Sequence, residues 1–217
     1  MIKTVIFDMD GVIVDTEPVH RYAYFQHFEE LNIAVPEEMY TSFTGFSTRN
    51  VFQKLKGHFM LEQEVEDLIQ RKRSIFNDAF DTKEDLDLLE GVEKLIIDLH
   101  QNGMQLILAS SASKVTIERV FNRFKLHQYF SHIVSGEDFP KSKPDPAIFE
   151  HAASLSIAPK ENCIVIEDST NGIKAAKAAG IFCVAYNSVH SKDQDLSLAD
   201  VVVGHFDELN FEKVSQY

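Results

Sequence analysis

Six short apolar runs punctuate the chain: "TVIFD" near the start, then "MQLILASS" (104–111), "HIVSG" (132–136), "NCIVIED" (162–168), "IFCVAYN" (181–187) and "DVVVG" (200–204). They are nearly continuous rather than alternating, as in parallel strands covered on both faces. Amphipathic stretches at 91–102, 113–126, 145–156 and 170–179 separate them, and Gly103 and Gly180 stand where helix C-caps belong. This alternation predicts a doubly wound, mostly parallel α/β sheet.

One interval breaks the rhythm. After the first run about 90 residues pass before the second, far more than a βα unit uses. The segment 15–87 reads as helical, with stripes at Val19, Tyr22, Ala23, Phe28 and Leu31, and at Val65, Leu68, Ile69, Ile75 and Phe76. The expectation is an α/β core from 1–14 and 88–217, with an inserted α-helical cap domain at 15–87 joined by hinges near 13–17 and 82–90.

Composition narrows the class of partner. A net charge of −13 argues against a nucleic-acid binder, which would show a basic face. It leaves room for an anionic small molecule, because a few cations and a metal ion can make a positive pocket in an acidic protein. No apolar run approaches the roughly 20 residues of a membrane span. Cys163 and Cys183 lie inside strand-like runs and read as core residues rather than as disulfide or metal ligands. A cytoplasmic monomer without membrane attachment is the expectation.

Ligands of such sheets bind beyond the carboxyl ends of the strands. Asp8 and Asp10 follow the first strand, Ser110 and Ser111 the second, and Glu167 and Asp168 the fourth, while Lys143 in "KSKPDP" lies in the loop before the next helix. Two carboxylates separated by a single residue repel each other unless a cation neutralises them. Hard oxygen ligands without His or Cys suit Mg2+. Asp8 and Asp168 are the best side-chain ligands, and Gly11 permits a tight turn that could face the Asp10 carbonyl to the metal. Phosphoryl transfer needs charge neutralisation and in-line positioning above all. Asp8 then reads as a nucleophile, Asp10 as a general acid and base, and Ser110 and Lys143 as holders of phosphoryl oxygens.

"VIFDMDGVIVDT", "LILASS", "KSKPDP" and "VIEDSTNGI" together resemble the four motifs of the haloacid dehalogenase-like hydrolases, in their usual order. The insert after the first motif resembles the helical cap of the subgroup containing phosphoglycolate phosphatases and β-phosphoglucomutases. The resemblance implies Asp8 as nucleophile and Asp10 as acid and base. It also implies Asp8, Asp10 and Asp168 on Mg2+, with Glu167 as a ligand or a residue behind the ligands, and Ser110, Ser111 and Lys143 on phosphate. Thr16 and His20 match hinge and cap-entrance positions, and Lys72 matches a cap lysine that faces substrate.

Similarity fails in the cap loop. Mutases typically show K-G-[VI]-S-R there, a basic pair gripping the distal phosphate of a bisphosphate. Here the stretch is "TGFSTRNVF", with Thr44 for the lysine, Phe46 at the apolar position, Thr48 for the arginine, and Arg49 one position late. Lost charge-assisted bonds of about 1.5–3 kcal/mol each would weaken distal retention. The expected function is therefore Mg2+-dependent hydrolysis of a small phosphorylated metabolite, a sugar phosphate by preference, through an aspartyl-phosphate intermediate. A β-phosphoglucomutase-type mutase is the alternative. A non-catalytic phospho-ligand binder or a receiver-like switch is the alternative of another class. Lys72 also has a plain reading: flanked by Arg71 and Arg73, it could belong to a solvated helix face.

Overall fold

A computed structural model describes residues 1–43, 46–188 and 194–217, and the chain divides into two compact units, Met1–Asp15 with Asp87–Tyr217, and Thr16–Leu86. The first unit begins with strand β1 (Thr4–Phe7), whose four residues are all buried. The chain then makes a tight turn, with the Ile13 amide donating to the Met9 carbonyl at 2.8 Å and Gly11 to Val14 at 2.9 Å. It next enters the helical unit.

Among the described residues four helices build that second unit: α1 (Glu17–Glu30), α2 (Glu37–Thr41), α3 (Thr48–Phe59) and α4 (Val65–Thr82). Helical spacing gathers Tyr24 and Phe28 of α1, Val51, Phe52 and Leu55 of α3, and Leu68 and Ile69 of α4 into one apolar core. The sequence stripe is correct for Val19, Ala23 and Phe28 but not for Tyr22, which is exposed. Tyr24 takes the inward place, with its ring against Phe28, Tyr40 and Phe52. Ser47 caps α3 by accepting from the Asn50 amide, a position where serine satisfies an otherwise orphaned donor.

Returning to the first unit, the chain forms α5 (Val92–Gln101), β2 (Gln105–Ser110), α6 (Lys114–Phe124), β3 (Phe130–Ser135), α7 (Ala147–Ser154), β4 (Cys163–Glu167), α8 (Thr170–Ala178), β5 (Phe182–Tyr186), β6 (Val201–Val203) and α9 (Phe211–Gln216). The six strands pair in parallel in the order β3-β2-β1-β4-β5-β6. All six strands and the four expected helices of this unit are present; the short α9 carries no sequence signal strong enough to announce it. Ile6, Ile107, Val165 and Cys183 share one face with Ile148 and Phe149 of α7 and Ile173 of α8. On the other face Phe130 meets the rings of Phe7 and of Phe121 from α6. Both cysteines are buried and free, as expected of core residues. No helix among the described residues is long and apolar enough to cross a membrane.

Register is what positions the site. Phe7 lies opposite Leu108 on one side and Ile166 on the other. The residues that follow, Asp8, Ala109–Ser110 and Glu167, therefore emerge at one level of the sheet edge. Strand order reverses between β1 and β4, where a doubly wound sheet opens its crevice.

Each unit has its own apolar core, which makes a local test possible. Phe52→Ala is expected to destabilise the helical unit by about 3–5 kcal/mol. Hydrogen exchange should then accelerate in α1, α3 and α4 while amides of β1, β2 and β4 keep their protection. Equal loss of protection in the sheet would contradict separate cores.

Candidate active site

Lys143 is the centre of the sheet-edge cluster. Its ammonium is buried and donates to Asp8 Oδ1 at 2.5 Å, Glu167 Oε1 at 2.9 Å and the Ala109 carbonyl at 3.1 Å. A lysine has three N–H donors, and these three acceptors match them. The Phe149 ring supports the ammonium from 4.6 Å.

Asp8 and Glu167 meet because β1 and β4 are in register, and the Asp8 amide donates to the Ile166 carbonyl at 3.0 Å. Burial pushes the Asp8 carboxyl up to about 7, against the pull of the Lys143 ammonium, and the Glu167 and Asp10 carboxylates add to the rise. Burial also opposes the Lys143 charge, but Asp8 and Glu167 outweigh it and hold the ammonium above the ordinary lysine range. The Glu167 carboxylate has both oxygens engaged. Oε1 accepts from Lys143, and Oε2 accepts from the amides of Asp168 and Ser169 at 2.8 Å and from the Ser169 hydroxyl at 3.0 Å.

Gly11 holds the turn after Asp10 at φ +80°, a conformation glycine adopts without strain. It also leaves room for Asp168: a Cβ there would lie 2.2 Å from Asp168 Oδ2. The Asp168 carboxylate thus rests over the Asp10–Gly11 turn. Ser110 is buried, and its hydroxyl accepts from the Ala112 amide at 3.0 Å, which shapes the loop after β2. Ser111 is half-buried on that loop, and Ser113 caps α6 through the Thr116 amide.

Sequence reasoning missed the support beneath this loop. Ser135, at the end of β3, donates to the Ala112 carbonyl at 2.8 Å, and a Cβ on Gly136 would stand 3.1 Å from Ser111 Cα. The "VSG" ending of the third apolar run was the available signal, since a strand closing on a glycine marks a close backbone approach.

Among the described residues no three His, Cys, Asp or Glu side chains gather into a ready metal cage. The donor set nevertheless fits a hard cation that keeps water ligands. Asp8 and Asp168 offer carboxylate oxygens, the Asp10 turn offers a carbonyl, and Mg2+ is usually held by one or two carboxylates plus waters and substrate oxygens.

The helical unit places its expected residues unequally. His20 and Lys72 come together, with Lys72 Nζ 2.6 Å from His20 Nδ1. Lys72 is only 2% exposed, so it does not belong to a solvated face. Its ammonium lies 4.4 Å from the Tyr24 ring centroid and 4.9 Å from that of Phe76, on which His20 stacks. Thr16 precedes α1, and its carbonyl accepts from the amides of Val19 and His20. Phe46 is half-buried beneath the Lys54 ammonium at 4.4 Å. Arg49 stands apart, exposed and paired with Glu66 at 2.6 Å. Thr48 is the first residue of α3, and Thr44 lies outside the described residues.

Comparison with known proteins follows the same lines. A family model for haloacid dehalogenase-like hydrolase matches residues 5–186. The β-phosphoglucomutase of Bacillus subtilis (strain 168) is 30% identical over 215 residues, covering 97% of this chain and 92% of the relative. A phosphorylated carbohydrates phosphatase of Thermotoga maritima is 31% identical over 204 residues, covering 91% and 90%. The crystal structure of CbbY from Rhodobacter sphaeroides in complex with phosphate superposes with a TM-score of 0.90 at 25% identity, covering all of both chains.

The charge cluster dictates a pH response. In the metal-free protein the folded state holds a proton on Asp8 that the unfolded chain has released between pH 3.8 and about 7. Stability must fall as pH rises through that window and level off above it. Lys143→Met leaves two buried carboxylates without their cation and is expected to cost about 3–5 kcal/mol at pH 8, less at pH 5. Denaturant titrations at the two pH values would measure this, and an equal loss at both would contradict the cluster's charge balance.

Proposed function

The chain belongs to the haloacid dehalogenase-like hydrolases, and we propose that it is a Mg2+-dependent phosphatase acting on a small sugar phosphate. It is an enzyme of the phosphatase and phosphomutase kind within that family. The observation that carries the reading is the Lys143 clamp on Asp8 at the sheet's switch point.

Lys143 grips Asp8 Oδ1, which leaves Oδ2 as the attacking oxygen. That oxygen forms a bond to the substrate phosphorus as the bond to the sugar oxygen breaks, and Asp10 gives the leaving oxygen its proton. Asp10 then takes a proton from water, whose oxygen attacks the same phosphorus. Inorganic phosphate leaves and Asp8 is regenerated. Ser110 and the Ser111 backbone are assigned to the equatorial oxygens, and Lys143, its three donors already matched, contributes its positive charge beside Asp8. Bound Mg2+, held by Asp8, Asp168 and the Asp10 carbonyl, supplies charge neutralisation of the transferring group. Glu167 is assigned behind the ligands, since both of its oxygens already serve Lys143 and the loop.

In the helical unit, Lys72 and His20 are retained as the candidate substrate-binding residues. A buried ammonium cushioned by two rings is a fixed hydrogen-bond donor rather than a mobile surface charge. The mutase reading keeps support from the Bacillus relative. Hydrolysis is preferred because Arg49 lies exposed beside Glu66, and the residue at the mutase arginine's place, Thr48, carries no charge. Neither offers a bidentate grip on a distal phosphate.

The direct experiment is phosphate release with Mg2+ across phosphorylated sugars, polyols and nucleotides, with β-glucose 1-phosphate and a bisphosphate primer assayed for isomerisation. Release from a few sugar phosphates without isomerisation is the expected result. Rapid isomerisation with little free phosphate would give the mutase reading the place. Asp8→Asn should abolish turnover while keeping the fold, and appreciable residual turnover would eliminate the aspartyl-phosphate route.

Metal binding should also be pH-linked. With the Asp8 carboxyl near 7, a cation competes with a proton there, so apparent affinity falls as pH drops through that value. The rise in Tm on adding Mg2+ is expected to be larger at pH 8 than at pH 5.5, and nearly absent in Asp8→Asn at both. A shift independent of pH would place the cation elsewhere.

A further inference from the structure

We propose that Gly172 is a positioning residue for Lys143, acting through the Glu167 carboxylate; the inference rests on the reading of this pocket as a phosphoryl-transfer site. Gly172 lies in the first turn of α8 and is buried. A Cβ at that position would fall 1.7 Å from Glu167 Oε1, 1.8 Å from its Cδ and 2.4 Å from its Oε2. These are bonding distances, so the carboxylate and a methyl group cannot both be there.

Backbone geometry does not explain the glycine. Among the described residues the positive-φ glycines are Gly11, Gly91, Gly103 and Gly180, so Gly172 has the ordinary helical conformation open to any residue. Within a helix glycine is less favourable than alanine, because it loses more backbone freedom on folding. A residue that is locally unfavourable and conformationally unnecessary is there for the space it leaves.

Glu167 fills that space. Its carboxylate is 1% exposed and is pinned from the α8 side by two amides and the Ser169 hydroxyl. The same hydroxyl accepts from the Gly172 amide at 3.1 Å, so cap, carboxylate and glycine form one interlocked turn. Pinning Oε2 fixes where Oε1 stands, and Oε1 is one of the three acceptors that place the Lys143 ammonium beside Asp8. An alanine would expel the carboxylate from the turn. Lys143 would keep only Asp8 and the Ala109 carbonyl, and its ammonium would shift from its place beside Asp8.

A double-substitution cycle tests this in the full chain: wild type, Gly172→Ala, Glu167→Ala and the two together. Three quantities are measured: Tm, phosphate release with the best substrate of the panel, and the NMR resonance of the Lys143 ammonium. In the wild-type background Gly172→Ala is expected to lower Tm, move the ammonium resonance and reduce kcat by about tenfold or more. In the Glu167→Ala background the same change should raise Tm, because only the helix preference for alanine remains. There it should alter kcat by less than about twofold.

Tm shifts of the same sign in both backgrounds would overturn the proposal, and so would a Gly172→Ala enzyme with an unmoved ammonium resonance. Should Gly172→Ala prove too unstable to assay, the sign of its effect in the Glu167→Ala background still decides. If the wild-type chain releases phosphate from no substrate, the reading of the pocket fails instead. The Tm reversal and the ammonium resonance then still rule for or against Gly172 as the residue that positions Lys143.

Discussion

Burying an ammonium between two carboxylates is worthwhile only if every donor and acceptor is satisfied, because each desolvated charge costs several kcal/mol, of order 5 or more, when left unpaired. Lys143 meets that condition with Asp8, Glu167 and the Ala109 carbonyl. Three elements that are distant in sequence, β1, β2 and β4, must keep one register for these acceptors to converge. The parallel sheet supplies that register, and the apolar runs of the strands supply the sheet. The pairing also falls short of neutrality. Asp10 and Asp168 crowd the same edge, so four carboxylates face one ammonium. Burial and this excess push the Asp8 carboxyl to about 7. The proposed cation would offset this field for the proposed anionic substrate.

The sheet edge was legible because parallel strands impose a simple code. Near-continuous apolar runs fix where the strands lie, and the polar residues that end them must appear at the carboxyl edge. Asp8, Ser110 and Glu167 were found that way, without knowledge of any distance. Lys143 was legible only as a loop residue; its burial follows from the acceptors it meets, which no local pattern records. Lys72 shows the limit more sharply. Between Arg71 and Arg73 it reads as one of a basic run on a wet helix face, yet helical geometry turns it inward against Tyr24, His20 and Phe76. The deciding contacts come from α1, some fifty residues earlier. Arg49 shows the converse, since Glu66 on a different helix takes it. Tyr22 and Tyr24 could not be told apart by a stripe two residues wide, and packing against Phe52 chose between them.

Two glycines belong to the same account as the acids. Gly11 and Gly172 look like turn and helix-breaking punctuation in the sequence, but each lies against an acidic side chain of the fourth strand's end. Asp168 rests over Gly11, and Glu167 occupies the place a Cβ of Gly172 would take. The adjacent acids thus point in opposite directions, Asp168 toward the turn after β1 and Glu167 into the first turn of α8. This division separates their chemistry. Asp168 is left against the Asp10–Gly11 turn, the place proposed for a hard cation. Glu167 is withdrawn behind Lys143, where it orients the ammonium. A side chain at Gly11 would displace Asp168 from the turn after β1, and one at Gly172 would displace Glu167 from the first turn of α8. The arrangement of voids, as much as of charges, therefore separates the carboxylate proposed for a metal from the one that serves the lysine.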